Sequence, residues 1–292
     1  MRVVSLLASG TEIVCALGAG DWLVGRSHEC DNPGWVRSLP RCSEPAFDIS
    51  VSSREIDAEV SRRIRSGEPL YVIHDDLIRD LRPDLIIAQE HCRVCAVTPD
   101  DVNQNCVPML SLNARSLNDI FDGIVSVAKA LGCEEQGRAL VRCEQQRLDN
   151  VRARTAGRRR PSVVVLEWIE PVYAMANWGP ELVEYAGGAL ALGHKGEHSY
   201  AMASENVPEA DPEFLIVAPC GFDLARTIEE SSRLREYPWW NKLTGKVALA
   251  DGNLFFNRSG MTVSRTAEIL AEILHGEIFG TPEEGLHWQW MG

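Results

Sequence analysis

At 292 residues, 45% of them hydrophobic, the chain exceeds what one compact core usually takes and points to two domains of roughly 100–150 residues each. A formal net charge of −13 and an isoelectric point near 5.0 leave no positive field for a phosphate backbone, and the one basic cluster, Arg158-Arg159-Arg160, is short. Nucleic acid is therefore excluded as a partner, and no apolar run reaches the roughly 18 residues of a membrane span.

The chain opens on the apolar run Val3–Leu7, followed by Ser9-Gly10-Thr11-Glu12. A secretory-signal reading, with Cys15 as a lipid-attachment site, fails on the shortness of that run and on Glu12 in what would be the apolar core. The tetrapeptide instead spells a capping box, the Ser9 hydroxyl accepting from the Glu12 amide, and starts a helix over Thr11–Leu17. With no export signal expected and nine cysteines, an odd count, a disulfide framework is not anticipated and the predicted compartment is reducing cytoplasm.

Further strands are predicted at Leu23–Ser27, Leu70–His74, Leu85–Gln89 and Met109–Leu112, with helices at Ser53–Ser66, Asp76–Leu81 and Asp100–Asn105 between them. This alternation is the signature of a parallel sheet with crossover helices. From Leu117 to about Thr155 only helical spacing remains, which predicts a long helix serving as a stiff strut between two lobes. The second half restarts with a strand at Ser162–Glu167 and a helix near Pro180–Ala186. A βα pair follows at Phe214–Ala218 and Leu224–Leu234, then strands at Val247–Ala250 and Leu254–Phe256 and a helix at Val263–His275. The tail from Gly276 to Gly292, with Trp288 and Trp290, reads equally as a lid or a docked end. The expected architecture is α/β: an N-terminal lobe over residues 1–115, a helical linker over 116–157, and a C-terminal lobe over 158–292.

In open parallel α/β sheets, ligands bind beyond the carboxyl ends of the strands. Those positions hold His28-Glu29-Cys30, His74-Asp75-Asp76, Glu90-His91-Cys92-Arg93-Val94-Cys95, Glu167-Trp168, Cys220-Gly221-Phe222 and Asn257-Arg258. Cys30, Cys92, Cys95 and Cys220 are candidate metal ligands, since thiolates take zinc or an iron–sulfur cluster and Cys-x-x-Cys brings two sulfurs to one ion. The same cysteines also read as small apolar residues packed in tight loops, or, for Cys92 and Cys95, as a redox pair. Glu167 and Arg258 are expected to reach the cleft between the lobes and orient a ligand there. Ser9, His28, Glu29, His91, Trp168, Trp178 and Phe222 complete the candidate binding set, the aromatic residues suiting a flat or bulky ligand. There is no Walker loop, no Gly-x-Ser-x-Gly elbow and no dinucleotide fingerprint.

The chain resembles the iron-chelate and cobalamin class of substrate-binding proteins of ABC transporters. The carriers are Val3-Val4-Ser5-Leu6-Leu7-Ala8-Ser9-Gly10-Thr11-Glu12, Leu17-Gly18, Val24-Gly25, Leu81-Arg82-Pro83-Asp84-Leu85-Ile86, Trp178-Gly179-Pro180-Glu181-Leu182 and Asp211-Pro212-Glu213. The resemblance extends from Val3 to about His275. It implies two Rossmann-like lobes with parallel sheets bridged by one long helix, as in class III periplasmic binding proteins. Gly25-Arg26-Ser27-His28-Glu29-Cys30-Asp31, Cys92-Arg93-Val94-Cys95-Ala96-Val97 and Pro219-Cys220-Gly221-Phe222-Asp223 are similar to a signal-less, cobalamin-binding-like branch.

The implied ligand is a small metal-containing molecule, a cobalamin or a metal chelate, or a metal itself, held in the interlobe cleft without chemistry. A chain confined to the cytoplasm could not serve the outer face of an importer, so a transporter partner is not expected. The alternative is a cytosolic thiolate-ligated metal or iron–sulfur protein, with Glu29, His28 or Glu167 handling protons if it is an enzyme. A partner-recognition module is a third reading.

Overall fold

A computed structural model describes residues 1–90, 96–102 and 107–292. They form two compact units: Met1–Ala114, Asn118–Cys143 and Ser259–Met261 make the first, and Arg115–Leu117, Glu144–Arg258 and Thr262–Gly292 the second.

The first unit contains β1 (Val3–Ser5), α1 (Ala8–Ala16), β2 (Leu23–Arg26), β3 (Ser43–Pro45), α2 (Ser53–Ser66), β4 (Tyr71–Ile73), α3 (Asp75–Leu81), β5 (Leu85–Gln89), β6 (Met109–Leu112) and most of α4 (Leu117–Ala130). The helix α5 (Glu134–Thr155) begins in this unit and ends in the second. Four parallel strands pair in the order β2-β1-β5-β6, with Val3 opposite Leu23 and Leu85, and Ile86 opposite Met109. Every residue of β5 is buried, which is why Leu85-Ile86-Ile87-Ala88 is continuously apolar rather than alternating. Val4, Leu6, Ile78, Ile86 and Val97 pack into one core with the Cys42 thiol.

Several expectations are corrected here. The strand read at Leu70–His74 lies outside the parallel sheet, because β4 pairs antiparallel with β3 in a separate two-stranded ribbon. Val72 faces solvent there, so His74 does not stand on the parallel-sheet edge. The capping box at Ser9 does not form. Leu7 is the extended N-cap of α1, and Ser9 and Glu12 fall inside the helix. Their side chains have other partners: Ser9 Oγ lies 3.4 Å from Ser259 Oγ, and Glu12 Oε1 accepts from Asn32 Nδ2 at 3.0 Å.

A true capping box starts α2, where Ser52 Oγ accepts from the Glu55 amide and Glu55 Oε2 accepts from the Ser52 amide at 3.1 Å. The helical stretch to Thr155 is two helices, broken at Leu131–Cys133. The helix read at Asp100–Asn105 is a 3₁₀ turn at Pro99–Asp101, and residues 103–106 lie outside the described residues.

The second unit contains β7 (Ser162–Trp168), β8 (Val172–Ala174), β9 (Ala176–Asn177), α6 (Gly179–Tyr185), β10 (Ala189–Leu192), β11 (His194–Lys195), β12 (Ala201–Met202), α7 (Asn206–Glu209), β13 (Phe214–Val217), α8 (Leu224–Ser231), β14 (Lys246–Ala250), α9 (Val263–Leu274), α10 (Gly276–Phe279) and β15 (Trp288–Trp290). Its main sheet runs β12-β8-β7-β13-β14-β15, with β10 also on β7; β10, β7, β13 and β14 are mutually parallel. Val164, Leu166, Leu215, Val217, Leu249 and Trp239 form its core.

Four of the added strands, β8, β9, β11 and β12, have only two or three residues each, too short to leave a periodic signal. The helix read at Leu224–Leu234 ends at Ser231 and tightens into a 3₁₀ turn over Ser232–Glu236. The strand read at Leu254–Phe256 is instead the end of a π-helical turn, Gly252–Phe256. Asp251 Oδ1 caps it by accepting from the Leu254 amide at 2.7 Å. At Gly252 the backbone crosses the end of β13 so closely that a Cβ would lie 2.1 Å from the Pro219 carbonyl oxygen. The tail resolves as a docked end: β15 runs antiparallel to β14, with Ala250 opposite Trp288, and Trp288 is 0% exposed.

Candidate ligand-binding site

In the second unit the carboxyl ends of β7 and β13 place Glu167, Trp168, Cys220 and Phe222 side by side. The Cys220 amide donates to the Glu167 carbonyl at 2.9 Å, which fixes the two loops against each other. The Trp168 and Phe222 rings tilt together at 5.3 Å between centroids. The Arg226 guanidinium, in the first turn of α8, lies 3.7 Å from the Phe222 centroid, a cation–π contact.

The Glu167 carboxyl is held by the Ala176 amide at 3.2 Å and by the Ser199 hydroxyl. Burial outweighs these bonds and pushes its pKa up to about 7, so this carboxyl changes charge in the neutral range. Trp178, two residues beyond Ala176, is the buried N-cap of α6.

Arg258 is 6% exposed. It reaches the cluster through one residue that sequence reasoning missed, Asn253: Arg258 Nε donates to the Asn253 carbonyl at 2.6 Å and Nη2 donates to Asn253 Oδ1 at 3.1 Å. The Asn253 amide in turn donates to the Phe222 carbonyl at 2.9 Å. The available signal was Asp251-Gly252-Asn253, a turn sequence that also supplies a cap three residues before Leu254. Arg226 was recoverable only from its spacing after Phe222 at the start of a helix.

In the first unit the loop after β2 carries His28, Glu29 and Cys30. Cys30 is 0% exposed, its sulfur accepting from Thr11 Oγ1 at 3.0 Å and lying 3.1 Å from Ser27 Oγ. Burial raises its pKa and favours the protonated thiol over the thiolate that metals take. His28 Nδ1 pairs with Ser43 Oγ at 3.2 Å and its ring packs on Tyr71; burial, then Arg41 and Arg26, lower its pKa to about 4. Glu29 remains partly exposed, 3.9 Å from His28 Nε2.

His91, Cys92 and Cys95 lie outside the described residues. Among the described residues no group of three or more His, Cys, Asp or Glu is placed to hold a metal ion, and no helix is long and apolar enough to cross a membrane.

Two α/β units with parallel sheets, polar loops at the strand ends, and a helix running from one unit into the other define the class III periplasmic-binding-protein fold. The family model described as "Periplasmic binding protein" matches residues 3–255, and the chain belongs to that family. A lipoprotein of Bacillus subtilis (strain 168), the uncharacterized ABC transporter substrate-binding lipoprotein YvrC, is 24% identical over 172 residues; the match spans 57% of this chain and 46% of the relative, less than half its length.

Among solved structures, the periplasmic vitamin B12 binding protein BtuF of Vibrio cholerae superposes with a TM-score of 0.68 at 20% identity, covering 94% of this chain and 96% of its own. A periplasmic heme binding protein from Pseudomonas aeruginosa gives 0.73 at 17% identity over 100% and 98%. A possible iron-binding protein from Staphylococcus epidermidis ATCC 12228 gives 0.69 at 18% over 94% and 98%. These likenesses establish the fold. The cytoplasmic expectation finds no support in relatives that are lipoproteins or periplasmic proteins.

Proposed function

We propose that the chain is a substrate-binding protein of an ABC transporter whose cargo is a small metal-containing molecule, a corrinoid or another metal chelate. Glu167, Trp168, Phe222 and Arg258 are its contacts in the second unit. The observation that carries this reading is the junction of the Trp168–Phe222 ring pair with a carboxyl poised near neutrality at the ends of two adjacent parallel strands. A macrocycle offers a flat apolar face to aromatic rings, while its peripheral amides or carboxylates need polar partners of the kind Glu167, Arg226 and Arg258 supply. Membership of the periplasmic binding protein family supports the binding role, and the ligands named for BtuF and the heme binding protein support the cargo class. A permease is the partner this reading implies.

The test is a titration of the purified chain with cyanocobalamin, hemin and a ferric siderophore, followed by intrinsic fluorescence and calorimetry. One of the three is expected to bind, and Trp168→Ala is expected to weaken it by roughly tenfold or more. Absence of binding to all three, or a Trp168→Ala variant that binds as tightly as the parent, would refute the reading.

A further inference from the structure

The Phe222–Asn253–Arg258 group rests on a turn that does not stand by itself. Asp251 and Phe255 bracket that turn, and both are held by one residue of the C-terminal tail. The Asp251 amide donates to the His287 carbonyl at 2.9 Å, and the His287 ring meets the Phe255 ring edge-on at 4.7 Å. His287 directly precedes β15, so its position is fixed by the pairing of Trp288 with Ala250.

The tail is in turn fastened to α9. Glu272 Oε2 accepts from the Glu283 amide at 3.1 Å and from Trp288 Nε1 at 3.3 Å, Arg265 pairs with Glu283, and Glu283 Oε2 lies 3.4 Å from His287 Nε2. An unbroken series of contacts thus runs from α9 through the tail to Asp251, Asn253, and the carbonyl of Phe222 and guanidinium of Arg258.

We infer that His287 is a positioning residue: the C-terminal tail acts as a buttress that sets the π-helical turn, and through Asn253 the placement of Phe222 and Arg258. A strand at the sheet edge could satisfy β14 without touching the turn. Here the added contacts fall on the residue before the turn and on Phe255 near its end, and single π-turns are rare and found frequently at functional sites. The consequence for affinity rests on the ligand reading above, whereas the placement of the turn does not.

The experiment therefore has two arms on the full chain. Hydrogen exchange is followed in the peptides spanning 219–223, 251–258 and 162–168 for the parent, His287→Ala, His287→Phe and Leu286→Ala. Cyanocobalamin and hemin titrations are run on the same four proteins. His287→Ala is expected to speed exchange roughly tenfold in 251–258 and 219–223 while leaving 162–168 unchanged, a local opening rather than a global one. His287→Phe, which keeps a ring on Phe255, restores protection. Leu286 is 63% exposed, so Leu286→Ala leaves both segments as they were.

If the parent binds either probe, His287→Ala is expected to weaken it several-fold and His287→Phe to recover it. Unchanged exchange at 251–258 in His287→Ala overturns the inference whatever the ligand proves to be, and so does faster exchange with undiminished affinity. If the parent binds neither probe, faster local exchange rescued by His287→Phe still supports the buttress while the ligand reading falls.

Discussion

Each unit sets a cysteine and an acidic residue at the end of a parallel strand, and the two outcomes differ. In the first, the loop after β2 turns inward: Cys30 is used by Thr11 and Ser27, His28 by Ser43 and Tyr71, Asn32 by Glu12. In the second, Glu167, Trp168 and Cys220 keep partly exposed surface, and the Cys220 amide ties their loops together at the Glu167 carbonyl. A strand-end position alone thus does not leave a polar side chain open. What separates the two loops is whether a neighbouring helix presents hydroxyls and carboxyls to them, as α1 does with Thr11 and Glu12.

The largest effect that could break this comparison is at Arg258. Its buried guanidinium donates to both oxygens of Asn253, so Arg258→Ala should cost about 2–4 kcal/mol in urea denaturation. A loss no larger than that of a surface substitution would show the second-unit cluster to be loosely held.

His28 tests the inward-turned loop. Its folded pKa of about 4 lies below the ordinary 6.5, so from pH 6.5 downwards the unfolded chain takes up a proton that the folded imidazole refuses. Stability should be flat in this respect above pH 6.5 and fall by roughly 1.4 kcal/mol per pH unit between 6.5 and 4. Imidazole NMR shifts titrating near 6.5 in the folded protein would contradict that environment.

Glu167 has the opposite dependence. The unfolded carboxyl ionises near 4.5 and the folded one near 7, so stability declines as pH rises through that window. Glu167→Gln should match the parent at pH 4 and exceed it by about 1–3 kcal/mol at pH 8, measured as denaturant midpoints.

The smallest contrast is between the thiols. Cys30→Ala leaves Thr11 Oγ1 without its acceptor and opens a small void, about 1–2 kcal/mol, whereas Cys220→Ala should change stability by under about 0.5 kcal/mol. A thiol reagent on the native protein should modify Cys220 and the exposed Cys143 and spare Cys30 until unfolding.

The parallel strands were legible in the sequence because burial on both faces writes continuous apolar runs such as Leu85–Ala88 and Val163–Leu166. The ribbon of β3 and β4 was not, since Tyr71-Val72-Ile73 looks the same in a ribbon as in a buried sheet. The Ser-x-x-Glu signature was ambiguous for a physical reason: at Ser52 the two side chains bond reciprocally, whereas at Ser9 both are claimed by distant partners. Glu167, Trp168, Cys220 and Phe222 could be located from strand ends alone. Asn253 could not, because Leu254-Phe255-Phe256 has strand composition, and the Asp251 cap, the close crossing at Gly252 and the distant contact of His287 on Phe255 leave no local signal of a turn.

The three residues Ser259–Met261 belong to the first unit although second-unit residues flank them on both sides. Gly260 lies so close to α1 that a Cβ would sit 2.8 Å from that of Ser9, a partner some 250 positions earlier. During synthesis at about 5–20 residues per second, the first unit must then wait on the order of ten seconds after Cys143 emerges before its last piece exists. A fragment ending at Cys143 should accordingly be less resistant to protease than the same residues in the whole protein, with the added cleavage falling near Ser9. The native arrangement is completed from its late end, and the N-terminal helix is among the last parts to be sealed.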